Sequence, residues 1–205
     1  RQMCIRDRQG EAVDVPEIQE FTSLSEKELD RINTLVQNLL KITKLDAGSI
    51  VLEKKPEDVA EMMNNVELRF SYRAEQEQKK LVLFGEEDIF LSCDRDWILE
   101  AVDNIVKNAM DHTKSGDTIE IKWRKSASIV QIQIKDNGSG IHPEDLHHIF
   151  KRFYRSRFSK DQQGIGLGLP LAKMIIEAHN GTIEVNSELG KGTMFTISFL
   201  IPIKL

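Results

Sequence analysis

Cysteine is nearly absent: Cys4 and Cys93 stand alone in 205 residues. Two such residues give neither a disulfide framework nor metal-ligand spacing, and a reducing, cytosolic setting is the default expectation. Long apolar runs are also missing. No stretch approaches the roughly 18–20 residues that span a bilayer, and the N-terminus has no continuous apolar segment of the kind a signal peptide needs. There is no basic excess. A net charge of −5 and a pI near 5.6 exclude a general nucleic-acid binder, although local basic clusters can still handle phosphates. Internal repeats, low-complexity tracts, a GxxxxGK[ST] phosphate loop and the eukaryotic-type kinase signatures are all absent.

What is present suits a soluble globular protein, with 40% hydrophobic and 30% charged residues. The length allows one good core, or one domain with a smaller appendage. Arg1 to Gly10 fits no structural pattern. Its Met-Cys-Ile-Arg-Asp-Arg resembles translated sequencing-adapter read-through, so residues 1–14 are expected to be a disordered or artefactual tail with upstream coding sequence missing.

From about Ser25 to Leu45, apolar residues at Leu29, Ile32, Leu35, Val36, Leu39, Leu40, Ile42 and Leu45 follow helical spacing with a broad stripe. Ser25 and Glu28 read as a capping box, although the helix could start near Val15. The stripe suits either a helix folded back on its own domain or one made for partner helices, and its place ahead of the mixed pattern favours the second. Ile50 to Lys55 alternates like a short strand that Pro56 stops. A helix is expected from Asp58 to about Gln78, then two strands, Leu81 to Phe84 and Ile89 to Ser92, around Gly85. Asp94 to Thr113 should be helical, with Trp97, Ile98, Ala101, Val102, Ile105, Val106 and Ala109 facing inward. A hairpin over Asp117–Lys125 and Ile129–Lys135, a polar and aromatic segment to about Gln163, a helix to His179 and a final strand pair complete the chain. The pattern predicts an α+β two-layer sandwich, its mixed and mostly antiparallel sheet covered by helices, preceded by a long helix.

Three blocks carry the chemistry. Asn104 and Asn108 lie four apart and stack on one helix face, with Glu100 one turn earlier. A carboxamide oxygen suits Mg²⁺, its nitrogen can donate to phosphate, and Glu100 can orient a water or accept a proton. Alone, the pair would more simply be solvated asparagines. Asp136-Asn-Gly138-Ser-Gly140 ends an apolar strand. A carboxylate there can accept from the exocyclic amine of adenine, whereas guanine would present a carbonyl; the plainer alternative is a hairpin turn. Gly164-Ile-Gly166-Leu167-Gly168-Leu169 does not follow a strand as a dinucleotide loop should, and reads as a glycine-rich lead into a helix whose free N–H groups favour phosphate. Between the last two blocks, Phe150-Lys-Arg-Phe-Tyr154-Arg155-Ser-Arg157-Phe, with Lys160, reads as a mobile lid whose aromatics dock on the core while cations face polyphosphate; a merely basic loop is the alternative.

Taken in order, these blocks resemble the catalytic, ATP-binding domain of bacterial two-component sensor histidine kinases. Asn104-Ile-Val-Lys107-Asn108-Ala is similar to the N box, and Asp136 to Ile141 to the G1 box. Phe150 to Tyr154 is similar to the F box, Gly164 to Leu169 to the G2 box, and Gly190-Lys-Gly-Thr193 closes the set. The resemblance covers about Ile50 to Ile203, while Leu29 to Ile50 resembles the second helix of a dimerisation and histidine-phosphotransfer domain. It implies a Bergerat ATP site over residues 49–205 and a partial dimerisation helix over 15–48. It further implies Asp136 on adenine, Asn104 on Mg²⁺, and Lys107, Asn108 and the turn at Gly166 to Leu169 near phosphate. Thr193 would lie near the adenine and its water, with Arg155 and Arg157 in the lid. Glu100 matches the acidic position that serves as base in hydrolytic relatives.

The implied partners are ATP or ADP, a histidine-bearing dimerisation helix and a response regulator receiver domain. A homodimeric parent, anchored in the cell membrane with this portion cytoplasmic, is expected, and nucleic acid is not. One departure stands out: His112, His142, His147, His148 and His179 all lie inside the ATP-binding region, and none has the context of a phosphoacceptor like His-Glu-Leu-Arg-Thr-Pro. The reading is therefore the donor half of the reaction. The alternatives are an ATP hydrolase of the same fold, like type II topoisomerases, mismatch-repair ATPases or heat-shock chaperones, a serine kinase acting on an anti-sigma-type partner, and a degenerate interaction module.

Overall fold

The computed structural model describes residues 15–156 and 164–201. The expected tail over residues 1–14, and Arg157 and Lys160 of the lid, lie outside the described residues. The chain divides into two compact units, Arg1–Gln37 and Asn38–Leu205.

The first unit holds most of helix α1, Val15–Asp46, so the earlier of the two possible starts is the observed one and Ser25 is interior. Phe21, Leu24, Leu29, Ile32 and Val36 are all exposed on it. The end of α1 belongs to the second unit. It closes with Gly48 N–H donating to the Leu45 carbonyl and Ser49 N–H to that of Lys44, which satisfies carbonyls of the last turn.

In the second unit, β1 (Lys55–Asp58) pairs antiparallel with β3 (Phe90–Cys93) as a two-stranded sheet. The expected strand Ile50–Lys55 is thus displaced, beginning where it should have ended and including Pro56. A two-stranded ladder tolerates this, because a strand with one neighbour can turn a position without an N–H outward. Asp58 then caps α2 (Val59–Gln76), accepting from Ala60 and Glu61 N–H at 2.8 and 3.2 Å. Asp94 caps α3 (Arg95–His112) in the same way.

The main sheet has the order β2-β4-β5-β7-β6, from Lys80–Gly85, Thr118–Lys125, Ile129–Asp136, Gly192–Leu200 and Gly181–Glu188. The strands on either side of Gly85 do not share a sheet: β2 runs parallel to β4, and the other main-sheet pairs are antiparallel. Strict alternation sets the inner face. Ile119 and Ile121 in β4, Val130, Ile132 and Ile134 in β5, and Phe195, Ile197 and Phe199 in β7 are buried. Against them pack α3, with Ile98, Ala101, Val102, Ile105, Val106 and Ala109 buried, and α5 (Gly168–Ala178), with Leu171, Ala172, Ile175 and Ile176 buried. Trp97 is only half-buried, the one departure from the inward set expected for α3. Each of the larger aliphatic side chains contributes about 1.5–3 kcal/mol on burial. The result is the expected two-layer sandwich.

Candidate nucleotide-binding site

The alternation that builds the core also aims the first site residue. In β5 the buried positions Val130, Ile132 and Ile134 are followed two residues on by Asp136, which continues the inward series and is 4% exposed. Its Oδ1 accepts from the N–H groups of Gly138 at 2.9 Å and Thr193 at 3.3 Å, while Oδ2 has no hydrogen-bond partner among the described residues. Burial raises the carboxyl above its ordinary range, outweighing those two bonds. This carboxylate can accept and cannot donate while ionised.

Backbone, not side chains, holds the turn after it. A methyl on Gly138 would lie 2.3 Å from the His112 carbonyl oxygen, and that same carbonyl accepts from Ser139 N–H at 3.1 Å. The end of α3 is thereby fastened to the turn. Gly140, half-buried, rests against the Glu188 carbonyl, and Gly190 N–H donates to the Ser139 carbonyl at 2.7 Å. The β6–β7 turn therefore closes over the turn that follows β5.

Asn104 and Asn108 are half-buried on α3, and Lys107 is exposed. Asn104 Nδ2 donates to the Glu100 carbonyl at 2.9 Å, which fixes the amide and leaves Oδ1 to face Gly168. A methyl at Gly168 would approach that oxygen to 2.9 Å, so the glycine keeps the space beside it open. This carboxamide oxygen fits Mg²⁺, a hard cation that keeps waters and substrate phosphates in its shell. Among the described residues no group of three His, Cys, Asp or Glu side chains could hold a metal, so an ion here would rely on such non-protein oxygens.

Helix α5 begins beside Asn104. Its N-cap, Leu167, is buried through its side chain and offers no side-chain acceptor, so the first N–H groups lack a capping oxygen. Gly166, at φ +74°, turns the chain into the helix, and its carbonyl accepts from Phe153 N–H at 2.9 Å. Leu169 is half-buried and Gly164 exposed, with open space around it. The two flanks of the lid segment thus meet at residues 153 and 166.

The lid's side chains depart from the simple expectation. Phe150 does dock, edge-on to Phe195 with centroids 6.4 Å apart, but Phe153 is 58% exposed. Its φ of +61° turns the backbone there, which carries the ring away from the core. Arg152 pairs with Asp46 at the end of α1 at 2.7 Å. Tyr154 donates to buried Asp145 at 2.5 Å, and Ser156 bonds the same carboxylate. Burial opposes the charge on Asp145, yet those hydroxyls outweigh it and hold the group below the usual carboxylate range. Arg155 is exposed.

Glu100 sits one turn before Asn104, but its Oε2 is 2.7 Å from Lys41 Nζ on α1. Sequence reasoning missed Lys41, Asp145 and Ser187 as neighbours of the candidate residues, because each acts through a contact between separated elements. Ser187 alone left a signal, in a strand leading into the Gly190-Lys-Gly-Thr193 turn.

Among the histidines, His147 is exposed, and His148 packs its ring 5.3 Å from that of Tyr154. His179 is buried, with Nδ1 2.8 Å from the Ile175 carbonyl and Nε2 accepting from Asp94 N–H at 3.2 Å. Cys93 is buried and its thiol is pushed up to about 12, chiefly by burial, so it is an inert core residue. Among the described residues no helix is long and apolar enough to cross a membrane.

Known proteins share this fold. The family described as histidine kinase-, DNA gyrase B- and HSP90-like ATPase matches residues 93–203. Sensor protein SrrB of Staphylococcus aureus (strain NCTC 8325 / PS 47) is 34% identical over 195 residues, which are 94% of this chain and 33% of SrrB. The chain therefore spans about a third of the length of the curated relatives it matches. Acinetobacter baumannii histidine kinase AdeS has a TM-score of 0.73 at 25% identity, covering 88% of this chain and 83% of that one. Histidine kinase ThkA, solved in complex with response regulator protein TrrA, shares the fold with a TM-score of 0.75 at 23% identity, over 91% of this chain and 52% of that one. The chain belongs to the histidine kinase-, DNA gyrase B- and HSP90-like ATPase family and carries an ATP-binding domain of the sensor histidine kinase type.

Proposed function

We propose that the chain is the phosphoryl-donating portion of a sensor histidine kinase, binding ATP·Mg²⁺ and presenting the γ-phosphoryl group to an imidazole supplied by a dimerisation helix. The observation that carries this reading is Asp136: a buried, acceptor-only carboxylate with one oxygen committed to backbone N–H groups and the other without a partner among the described residues. That chemistry suits the exocyclic amine of adenine. Asn104 Oδ1 would hold Mg²⁺, which supplies charge neutralisation across the phosphates when bound. Asn108, Lys107 and the uncapped N–H groups from Gly166 to Leu169 would bind phosphate oxygens, with Arg155 and Arg157 in the lid. Phosphoryl transfer asks little more of a protein than positioning and charge compensation.

By this reading residues 15–48 contribute part of a dimerisation bundle and residues 49–205 the catalytic domain. The parent protein would be a homodimer anchored at the membrane, passing its phosphoryl group to a receiver domain such as the response regulator seen with ThkA. None of the five histidines in this chain has an acceptor's context, so the chain alone should bind nucleotide without phosphorylating itself. The test is calorimetry with ATP and GTP, followed by incubation with [γ-³²P]ATP with and without a histidine-bearing dimerisation fragment. ATP-selective binding, with acid-labile label appearing only on the added fragment, is expected. Equal affinity for the two nucleotides, or label on this chain alone, would sink the reading.

The hydrolase alternative needs Glu100 as a base for water, and its carboxylate is engaged by Lys41. That pairing favours transfer over hydrolysis.

A further inference from the structure

Ser187 in β6 stands opposite Thr193 in β7, and three polar groups converge on its Oγ. Ile141 N–H lies at 2.8 Å, the Gly192 carbonyl at 3.0 Å and Thr193 Oγ1 at 2.9 Å. A serine hydroxyl has one proton to give and two lone pairs to receive. A carbonyl oxygen only accepts, so the contact with Gly192 takes the proton. A backbone N–H only donates, so Ile141 takes one lone pair. The contact with Thr193 is left with the other lone pair, and in that contact Thr193 must be the donor. All three positions on the Ser187 oxygen are then filled.

The consequence falls on Thr193. It is buried, two residues before Phe195 on the inner face of β7, and its N–H donates to Asp136 Oδ1 at 3.3 Å. With its hydroxyl proton drawn toward Ser187, its oxygen has only lone pairs left to offer. Asp136 is an acceptor for a different reason, its charge. Two side chains of unlike chemistry therefore present the same polarity beside each other.

We propose that Ser187 is a specificity-determining residue: by holding the Thr193 proton within the β6–β7 turn, it makes that hydroxyl an acceptor toward the bound base. The site then favours a purine bearing an exocyclic amine and disfavours one presenting a carbonyl at the same position. Without Ser187 the threonine hydroxyl is free to rotate and donate to such a carbonyl. The aspartate cannot make that adjustment, so discrimination would be shared between a fixed reader and one that Ser187 fixes. This inference rests on the nucleotide reading above.

The probes are ATP and inosine triphosphate, which carries a carbonyl in place of the adenine amine. Calorimetric affinities for both would be compared in the unmodified chain, Ser187→Ala, Ser187→Thr and Thr193→Val. In Ser187→Ala the preference for ATP over inosine triphosphate is expected to narrow about three- to tenfold, mainly through tighter binding of the latter. Ser187→Thr keeps the hydroxyl and should restore the preference. Thr193→Val, which removes the reader while leaving Ser187 its bonds to Ile141 and Gly192, should narrow it through weaker ATP binding and answers the question if Ser187→Ala fails to fold. A merely structural role would weaken both nucleotides equally, so an unchanged ratio in Ser187→Ala or in Thr193→Val overturns the inference. If the unmodified chain binds neither nucleotide, the ATP reading fails with it; if it binds ATP and the ratios do not move, only the role of Ser187 fails.

Discussion

Lys41 and Glu100 form an ion pair of 2.7 Å between α1 and α3, one helical turn from the candidate metal-binding Asn104. Both side chains are about one-third exposed, so the pair matters less for stability than for where the carboxylate points.

Replacing Lys41 with methionine frees the carboxylate to accept a proton from water. Steady-state ATP hydrolysis should rise about three- to tenfold, below the 10²–10⁴ expected of a fully optimised general base. Adding Glu100→Gln should cancel the rise. A phosphate-release assay reads both, and an increase that survives the second substitution would exclude Glu100 as its source.

Gly168→Ala separates folding from function. Alanine at the start of α5 is favourable for the helix by about 0.5–1 kcal/mol, and the atom it meets is a side-chain oxygen of Asn104, which can shift if the bond from that amide to the Glu100 carbonyl yields. Melting temperature should therefore hold or rise. Affinity for ATP in the presence of Mg²⁺ should fall about tenfold or more, as the carboxamide oxygen is pushed aside. Calorimetry with and without Mg²⁺ checks this, and the loss should be larger with the ion.

Asp136→Asn should lose ATP affinity and gain stability. Burial raises the Asp136 carboxyl, so the native state holds its proton more tightly than the unfolded chain does. The wild-type protein thus regains stability as pH falls through that raised value. The stabilising effect of the substitution should be largest near neutral pH and shrink in acid, which urea unfolding at several pH values would reveal.

His179 works with the opposite sign. Burial lowers its imidazole below the ordinary value, and its Nε2 needs a lone pair for Asp94 N–H. Stability tied to the neutral ring is fully present above about pH 6.5, the unfolded value, and is lost as pH drops toward the lowered native one. Unfolding free energy should decline from about pH 7 to 5, and His179→Gln should flatten that slope.

Much of this was legible beforehand because it follows from periodicity. The α3 residues Ile98, Ala101, Val102, Ile105, Val106 and Ala109 are buried as helical spacing requires, and β4 and β5 form the expected hairpin. The aim of Asp136 was also implicit in the alternation through Val130, Ile132 and Ile134. Strand β1 was misplaced because Pro56 is a breaker only where a second neighbour needs its N–H, and partner number is not a local property. Arg152 and Lys41 were unreadable for a similar reason. Their ion-pair partners, Asp46 and Glu100, sit 106 residues away in the first case and on a separate helix in the second.

The bond from Thr193 to Asp136 joins residues 57 positions apart, across a short helical turn at Pro143–Leu146 and the whole of α5 and β6. Loop closure over such a separation is among the later, slower steps available to a folding chain. A partly folded chain with α3, β4 and β5 in place would still lack this wall of the pocket. Nucleotide should then be invisible to intermediates and act only on the finished domain, adding about 2.7 kcal/mol at a hundred times its dissociation constant. In the cell, the ATP supply would serve this domain as a folding ligand before it serves as a phosphoryl donor.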